Sequence, residues 1–452
     1  MFSCLVRQLS SGILMHRVQW LILSVLALSL SCLSGCAVNP VTGKSELAFY
    51  NMSEQEEVSL GSKAFPEAIQ RMQGEYHDQR LKEYVTAIGM RLALVSHRPH
   101  LSYTFKVVND SSPNAFAMPG GNIAITRGLL VALENESQLA AVLGHELGHV
   151  TARHSMQNLQ RGILLNIGLQ ILSYQSSGTS YSGAAQQAGQ IAGSILDSSY
   201  SREQEREADQ LGIDYMVKAQ YSPKGAVELQ EFLARKSGEG EAQWLQGLFR
   251  THPFSRERMR DNQYYIDSRY SWAMNNEAYV SGDGDFKRAM APLMKTSEAY
   301  ADYDKGREKE RGRDMAGAIA MYEQAVRKAP AQGLLHNALG MAYLKNDNHA
   351  EAKKRLIKAV QLDGEYFESH FGLGYLYLKE NNPVLAKEHL EKSMKLMPTL
   401  GGAFFLAESY EKISEFSKAQ ALYSQVASAD SRGSLGRSAA ARARAIGGVR
   451  RR

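Results

Sequence analysis

Two histidines and a glutamate in the segment His145-Glu146-Leu147-Gly148-His149 are the residues best suited to chemistry in this 452-residue chain. Residues 137–155 have helical spacing, and side chains four apart on a helix lie on one face, so both imidazoles can reach one metal ion. Glu146 follows the first histidine by about 100° of helical rotation, which places its carboxylate beside the ion. There the carboxylate can take a proton from a metal-bound water molecule, as in a zinc hydrolase.

The residues around this motif favour a metal site over the alternative, a solvated helix face that matches by chance. An apolar stripe indicates a core helix, where an unpaired histidine or glutamate is unfavourable. The stripe consists of Leu139, Val142, Leu143 and Val150. Gly144 and Gly148 each precede a histidine, and glycine inside a helix costs about 1 kcal/mol relative to alanine. Close approach of another segment, or simple helix packing, would explain both glycines.

A third ligand is expected further along the chain, because catalytic zinc usually keeps three protein ligands. Four acids compete within residues 201–209, and helical rotation separates them into two faces. The predicted buried face carries Glu205, Ala208, Asp209, Gly212 and Met216, and the other face carries Glu203 and Glu207. We therefore predict Glu205 as the ligand and Asp209 as the acceptor for the free ring N–H of a ligating histidine. A surface helix with scattered charge pairs is the alternative.

The two motifs His-Glu-x-x-His and Ser-Arg-x-x-Glu-x-x-Ala-Asp together resemble the gluzincin family of the CAAX prenyl protease and the heat-shock membrane protease HtpX. Within this family the chain is most similar to the soluble lipoprotein branch with a tetratricopeptide domain, the β-barrel assembly-enhancing proteases of the outer membrane. The resemblance covers roughly residues 39–266. It places one zinc ion per chain on His145, His149 and Glu205 and the general base on Glu146, in agreement with the helix geometry.

The resemblance also points to two further segments, and the residues themselves indicate a third. His252, Pro253 and Arg258 match the family's His-Pro-x-x-x-x-Arg element, in which His252 would bind the open zinc position or steady the oxyanion, unless it only caps a helix. A second segment resembles the sheet edge that binds an extended substrate, although an ordinary core strand would look the same. It consists of Asn114, Ala115, Phe116, Ala117 and Met118. Residues 161–197 are predicted to form two short helices that cover the cleft, since neither apolar run reaches the roughly 20 residues needed to cross a bilayer.

Residues 1–36 are predicted to be a lipoprotein signal peptide. A basic start and an apolar stretch precede Leu33-Ser34-Gly35-Cys36, which resembles a bacterial lipobox. Cleavage before Cys36 and lipidation of its thiol would attach the chain to a membrane, whereas an uncleaved anchor is the alternative. By resemblance to bacterial lipoprotein sorting, Ala37 in place of an aspartate favours the outer membrane, which predicts a periplasmic location at its inner leaflet. All three cysteines lie in this segment, so the remaining chain has no internal disulfide.

The net charge of +5 comes from the two ends of the chain. Residues 1–36 contain two arginines, and the segment after Asp430 contains seven arginines and no acid. The part between them is therefore acidic overall, which argues against a nucleic-acid-binding surface. Residues 431–452 are predicted to be a basic disordered tail.

Residues 296–430 contain an internal repeat. Alanines recur at spacings of 34, 34 and 33 residues, at Ala318, Ala352, Ala386 and Ala419. A leucine and a tyrosine keep step with them, at Leu339, Leu373, Leu406, Tyr343, Tyr377 and Tyr410. This period is typical of tetratricopeptide repeats, so about four repeats should form a curved surface that binds segments of other proteins. The fourth repeat lacks a terminal proline and is predicted to act as a solubilising cap.

We therefore predict a mainly α (α+β) fold with a zinc metalloprotease domain and its small β-sheet at 37–295 and a helical repeat domain at 296–430. The predicted activity is zinc-dependent hydrolysis of peptide bonds within protein chains. By resemblance, the partners are unfolded or misassembled outer-membrane proteins and the β-barrel assembly machinery, with the lipid anchor holding the chain at the membrane. The alternative function is a repeat-based chaperone or assembly scaffold whose metal site is inactive.

Overall fold

The structure is a computed structural model, and it describes residues 35–39, 41–48, 52–161, 192–238 and 245–449. Of the predicted signal peptide, only Gly35 and Cys36 fall inside these ranges. Most of the predicted cleft cover at 161–197 also lies outside the described residues. Among the helices that are described, none is both long enough and apolar enough to cross a membrane.

An antiparallel hairpin begins the described chain. Strand β1 (Gly35–Val38) pairs with β2 (Ser45–Ala48), and the turn-rich sequence between them connects the two strands. The Asn39 side chain is buried, and its Nδ2 donates to the carbonyl oxygen of Ala152 over 2.9 Å. The hairpin is therefore attached to the segment that ends the histidine helix.

A small three-stranded sheet supports the site. Helices α1 (Glu54–Arg71) and α2 (Gln79–Leu94) precede strands β3 (Thr104–Val108), β4 (Ala115–Met118) and β5 (Asn122–Thr126). The central strand, β5, runs parallel to β3 and antiparallel to β4. Gly120 and Gly121 have φ values of +76° and +95°, which L side chains rarely adopt, so the turn between β4 and β5 requires glycine. Because β5 lies between the other two strands, β4 is an edge strand of this sheet.

Two helices that cross closely carry the predicted ligands. After the short helix α3 (Arg127–Ala132) come α4 (Glu136–Thr151) and, beyond the undescribed residues, α5 (Arg202–Lys218). A Cβ atom added to Gly148 would lie 2.7 Å from the carbonyl oxygen of Ala208, and one added to Gly144 would lie 3.0 Å from that of Gly212. Both distances are too short for a side chain, so the two backbones touch. This contact is the close approach that the glycines indicated.

The protease domain continues directly into the repeats. Helices α6 (Lys224–Gly238), α7 (Gln246–Thr251), α8 (Arg256–Arg269) and α9 (Ser271–Met274) complete the surroundings of the site. The next helix, α10 (Asp283–Arg311), is continuous across the predicted domain boundary between residues 295 and 296. One cluster of buried apolar side chains extends from α2 and the sheet through α4 and α5 into α10 and the first repeat helices. The two predicted domains therefore share a core.

The repeat region consists of paired helices, which confirms the predicted fold class. They are α11 (Met315–Lys328), α12 (Gly333–Lys345), α13 (His349–Leu362), α14 (Phe367–Lys379), α15 (Pro383–Leu396), α16 (Leu400–Lys412), α17 (Phe416–Ala429) and α18 (Ser434–Val449). The four repeated alanines lie on α11, α13, α15 and α17, and each is 0% exposed. Larger residues there would separate the paired helices, which explains the alanine spacing.

The prediction of a disordered tail at 431–452 is wrong for most of that segment, because α18 packs against α17. Ala439 and Ile446 of α18 are buried, whereas Arg437 is exposed. Alanine has the highest helix propensity, and small and apolar residues at helical spacing give α18 one face that packs. The helix that covers the last repeat is thus α18, which follows the fourth repeat.

Candidate metal centre

The predicted ligands converge on one point between α4 and α5. The Nε2 atoms of His145 and His149 lie 3.1 Å apart. One Glu205 oxygen lies 3.4 Å from His149 Nε2, and the other lies 3.6 Å from His145 Nε2. The side chains of His149 and Glu205 are fully buried, and that of His145 is 16% exposed. The structure therefore brings together the three residues that helical spacing selected.

His252 places a fourth candidate ligand atom in this group. It lies at the end of α7, directly before Pro253, and its Nδ1 is 3.2 Å from His145 Nε2 and 3.0 Å from a Glu205 oxygen. The ligand atoms of the four residues all lie within 4.8 Å of one another. The imidazole thus lies where a water molecule would stand in an open catalytic site.

The arrangement fits a zinc ion. Tetrahedral zinc has metal–ligand distances of about 2.0–2.2 Å, which place neighbouring ligand atoms about 3.3–3.6 Å apart. The separations given above run from 3.0 to 3.6 Å, with the Glu205 distances taken to whichever of its oxygens is nearer, and all ligand atoms of the group lie within 4.8 Å of one another. Three imidazole nitrogens and one carboxylate oxygen form a donor set that suits zinc, and it includes no thiolate. In addition, His252 Nε2 and Glu146 Oε2 are buried without a hydrogen-bond partner among the described residues.

The protonation states of His149 and Glu205 also suit a metal. Burial holds the pKa of His149 well below its ordinary value, so its imidazole is neutral. Burial opposes ionisation of Glu205, but His252 and His145 hold the pKa of its carboxyl well below its usual range. Burial likewise opposes the charged form of His252, and the carboxylates of Glu205 and Glu146 raise its pKa to about 9 in the absence of an ion. A bound cation opposes that proton, because metal and proton compete for the same nitrogen.

Asp209 occupies the position predicted for it. One of its oxygens lies 2.8 Å from His145 Nδ1, which leaves Nε2 free to face the metal position. Arg258 of α8 binds both Asp209 oxygens, over 2.9 and 2.8 Å, and Asn262 donates to one of them over 2.8 Å. Arg258 also pairs with Glu205 and donates to the carbonyl oxygen of Pro253. It therefore holds the two carboxylates and the His252 loop from behind the ligands.

Asn262 was missed by the sequence analysis. It lies four residues after Arg258, so both side chains project from one face of α8 toward Asp209. That spacing is visible in the sequence, and the signal was therefore available once Arg258 had been singled out.

Glu146 lies beside the ligands and outside the ligand group. Its side chain is 2% exposed, and its Oε1 is 3.5 Å from His252 Nε2. Burial raises the pKa of Glu146, which increases the proton affinity of the carboxylate. This is the placement that helical rotation predicted, and it suits a group that accepts a proton from a molecule held at the metal position.

Tyr200 is a second residue that sequence analysis missed. Its ring stacks on the ring of His149 at a centroid distance of 3.8 Å, and its hydroxyl lies 3.0 Å from Ser155 Oγ. Tyr200 precedes the N-cap of α5 in a short non-helical segment, where no periodic pattern indicates what a side chain contacts. The tyrosine covers one face of the ligand.

The candidate substrate strand, β4, borders the site. Strand β4 is buried, with Ala115 and Phe116 at 1% and 4% exposure, and Ser155 Oγ donates to the Ala117 carbonyl oxygen over 3.2 Å. Ala115 also lines a mainly apolar cavity that reaches His145 and Glu146. Other apolar residues that line the cavity are Val142, Met216, Leu229, Leu233, Phe249 and Phe254. The use of β4 by a substrate stays a prediction.

The site combines a histidine pair on one helix with a candidate glutamate ligand from a second helix and a carboxylate beside them. This combination is typical of a metallohydrolase domain. Residues 79–266 match the family model described as Peptidase family M48, and residues 335–366 match that of a tetratricopeptide repeat. The chain therefore contains a Peptidase M48 domain followed by tetratricopeptide repeats. This confirms the predicted resemblance and the prediction of a metallopeptidase domain.

Curated relatives are similar over part of their length. Mitochondrial metalloendopeptidase OMA1 of Schizosaccharomyces pombe is 30% identical over 228 residues, which are 48% of this chain and 63% of that protein. The β-barrel assembly-enhancing protease of Escherichia coli K12 is 32% identical over 198 residues, or 41% of this chain and 39% of that protein. Metalloprotease YcaL of the same strain is 34% identical over 154 residues, which are 34% of this chain and 58% of that protein. The chain thus spans less than two thirds of each relative.

Proposed function

We propose that the chain is a zinc-dependent endopeptidase. The observation that carries this proposal is the convergence of His145, His149 and Glu205 on one buried point with Glu146 beside them. The names of the relatives support it, since one is a metalloendopeptidase and two are proteases.

Each side chain has a defined task in this mechanism. When bound, zinc would polarise a water molecule and the carbonyl of the scissile peptide bond. Glu146 accepts a proton from the attacking water and returns it to the leaving amine, a task that its buried carboxylate suits. Asp209 holds the His145 ring by its Nδ1–H, and Arg258 holds the carboxylates of Asp209 and Glu205.

The cavity beside the site supports a preference for substrates with an apolar side chain next to the cleaved bond. The cavity has a volume of about 80 Å³, and His145 and Glu146 form part of its wall. A side chain that enters the cavity would bring its peptide carbonyl close to the base. An apolar group is favoured there because most of the exposed surface of the lining is apolar.

The wider role we propose is quality control of outer-membrane proteins in the periplasm, with Cys36 lipidated and the chain anchored at the inner leaflet of the outer membrane. Three features support it: the lipobox-like sequence, the repeat domain, and the similarity to a protease named for β-barrel assembly. Unfolded or misassembled outer-membrane proteins would be substrates, and the β-barrel assembly machinery a partner. The position of His252 supports a second candidate, an assembly scaffold with a closed metal site.

Proteolysis of a reduced and alkylated model protein by the purified chain tests the enzymatic proposal. We expect cleavage that a zinc chelator abolishes and that added zinc restores. If neither the wild-type chain nor a His252→Ala variant cleaves the protein while both hold zinc, the scaffold function is favoured instead.

The His252→Ala substitution should raise the rate of cleavage. In the structure the imidazole Nδ1 stands within the ligand group and excludes water from the fourth position, so its removal opens the site. Turnover of the same model protein by zinc-loaded wild type and variant measures the effect. A lower rate at unchanged zinc content would instead assign His252 a role in stabilising the transition state.

The Cys36→Ala substitution should release the chain from membranes. The alanine cannot be acylated, and lipid chains attached to cysteine would supply the membrane affinity. Sedimentation of membranes from cells that produce each form measures the distribution. A variant that still sediments with membranes would point to an uncleaved anchor.

A further inference from the structure

A buried histidine that no motif singled out lies directly behind a ligand. His154 is 0% exposed, and its Nδ1 is 2.9 Å from Nδ1 of His149. On its other side, His154 Nε2 lies 3.0 Å from an oxygen of Glu207. A continuous line of contacts therefore extends from the metal position through two imidazoles to a carboxylate.

A break in the helix makes this contact possible. In an uninterrupted helix a residue five positions after His149 lies about 140° away from it, on a different face. Helix α4 ends at Thr151, however, and Arg153 has a φ value of +59° before residues 154–161 become helical again. The Arg153 side chain forms an ion pair with Glu57 over 2.9 Å. The chain turns back at Arg153 and places His154 beneath His149.

With a metal ion on His149 Nε2, the contacts assign the proton of each ring to one nitrogen. His149 faces the other ligands with Nε2, so its neutral ring carries the proton on Nδ1. That N–H needs an acceptor, and the nearby atom is His154 Nδ1, which must then be unprotonated. His154 consequently carries a proton on Nε2 and donates it to Glu207. One tautomer of each ring satisfies all of these contacts.

The outer end of the line reaches the N-terminal hairpin. The other oxygen of Glu207 lies 3.4 Å from Nζ of Lys44, and Asn39 of the same turn donates to Ala152 in the helix break. Glu207 is only partly exposed, so its carboxylate is held between a buried imidazole and a surface lysine.

From this geometry we infer that His154 and Glu207 are positioning residues for the ligand His149. They fix its tautomer and the orientation of its ring through the imidazole of His154, whereas His145 is fixed by direct contact with Asp209. The inference rests on the proposed zinc site. Orienting contacts of this kind typically change metal affinity by about 10–100-fold when they are removed.

Two substitutions at one position separate this role from a structural one. In His154→Asn the amide oxygen replaces Nδ1 and still accepts from His149, but contact with Glu207 is lost. In His154→Gln the amide replaces Nε2 and keeps contact with Glu207, but the acceptor for His149 is lost. We therefore expect the glutamine variant to bind zinc about 10–100-fold more weakly than wild type and the asparagine variant to retain most of the affinity.

Competition of the full chain with a chromophoric chelator measures the zinc dissociation constants, and the visible absorption of the cobalt-substituted forms reports the geometry of the ligands. Neither readout requires turnover. Glu203→Gln is the matched control for Glu207, because Glu203 lies on the exposed face of α5, the helix that also carries Glu207. This variant should bind zinc like wild type. Glu207→Leu should weaken binding in the same direction as His154→Gln, because the tautomer of His154 is then no longer fixed.

Equal zinc affinity of wild type and His154→Gln, or weaker binding by His154→Asn than by His154→Gln, would overturn the inference. Thermal unfolding of the metal-free variants shows whether weaker binding is only loss of fold. If the zinc affinities of His154→Asn and His154→Gln fall in proportion to the thermal stabilities of their metal-free forms, the role of His154 is structural. That result would likewise overturn the inference. Wild-type protein that binds no divalent ion would refute the proposed function itself, an outcome that the wild-type titration alone identifies.

Discussion

The Glu146→Gln substitution should reduce peptide hydrolysis by about 10²–10⁴-fold, the usual contribution of a positioned general base, and leave the metal in place. Glutamine keeps the shape of the side chain but cannot accept a proton from water. The metal should stay because Glu146 is not one of the four converging residues. The turnover of a model unfolded protein and the zinc content per chain measure the two effects.

The Glu146 experiment needs a matched acid that lies away from the site. Glu134→Gln serves this purpose, because Glu134 is exposed and lies in the loop directly before the histidine helix. We expect wild-type turnover from this control. Turnover close to wild type in Glu146→Gln would remove Glu146 from the base role, and loss of zinc in that variant would show that the carboxylate helps to hold the ion.

The Glu205→Ala substitution should release the metal. It removes one of the three ligands on α4 and α5 and also the carboxylate that pairs with Arg258 at the site. The loss in zinc affinity should exceed the roughly 10–100-fold that removal of an orienting contact costs. Metal analysis after dialysis, together with a chelator competition, measures it.

His252 complicates this second experiment because its Nδ1 can complete a ligand set without Glu205. Zinc affinity is therefore also compared between the His252→Ala variant and the double variant that carries both His252→Ala and Glu205→Ala. Glu203→Ala is the control, since Glu203 lies on the exposed face of the same helix. Undiminished zinc binding by the doubly substituted protein would place the third ligand at another residue.

Helical spacing was sufficient to predict the centre of the site. His145, Glu146 and His149 belong to one regular helix and Glu205 and Asp209 to another, so their relative directions follow from about 100° of rotation per residue. The glycines at 144 and 148 even indicated that another segment approaches this helix closely. The repeats were equally visible, because their period is imposed by the packing of one helix pair on the next.

Contacts that depend on irregular backbone were not predictable in this way. Whether His252 reaches the ligands depends on how the loop at Pro253 is directed, and His154 was missed because the left-handed residue Arg153 interrupts the helix before it. Helix α18 was missed for a different reason. Its arginines suggested a charged tail, but the alanines between them leave one face that packs on the last repeat.

The continuous helix α10 has a consequence for folding cooperativity. Tyr300 and Tyr303 of α10 belong to the same buried cluster as Leu143 and Leu147 of the histidine helix and Leu335 of the first repeats. A chain cut between residues 295 and 296 would sever a helix and expose both halves of that cluster to water. The peptidase half and the first repeats therefore form one cooperative folding unit. Local unfolding of the repeats consequently lowers the free energy of unfolding of the part that holds the candidate metal ligands.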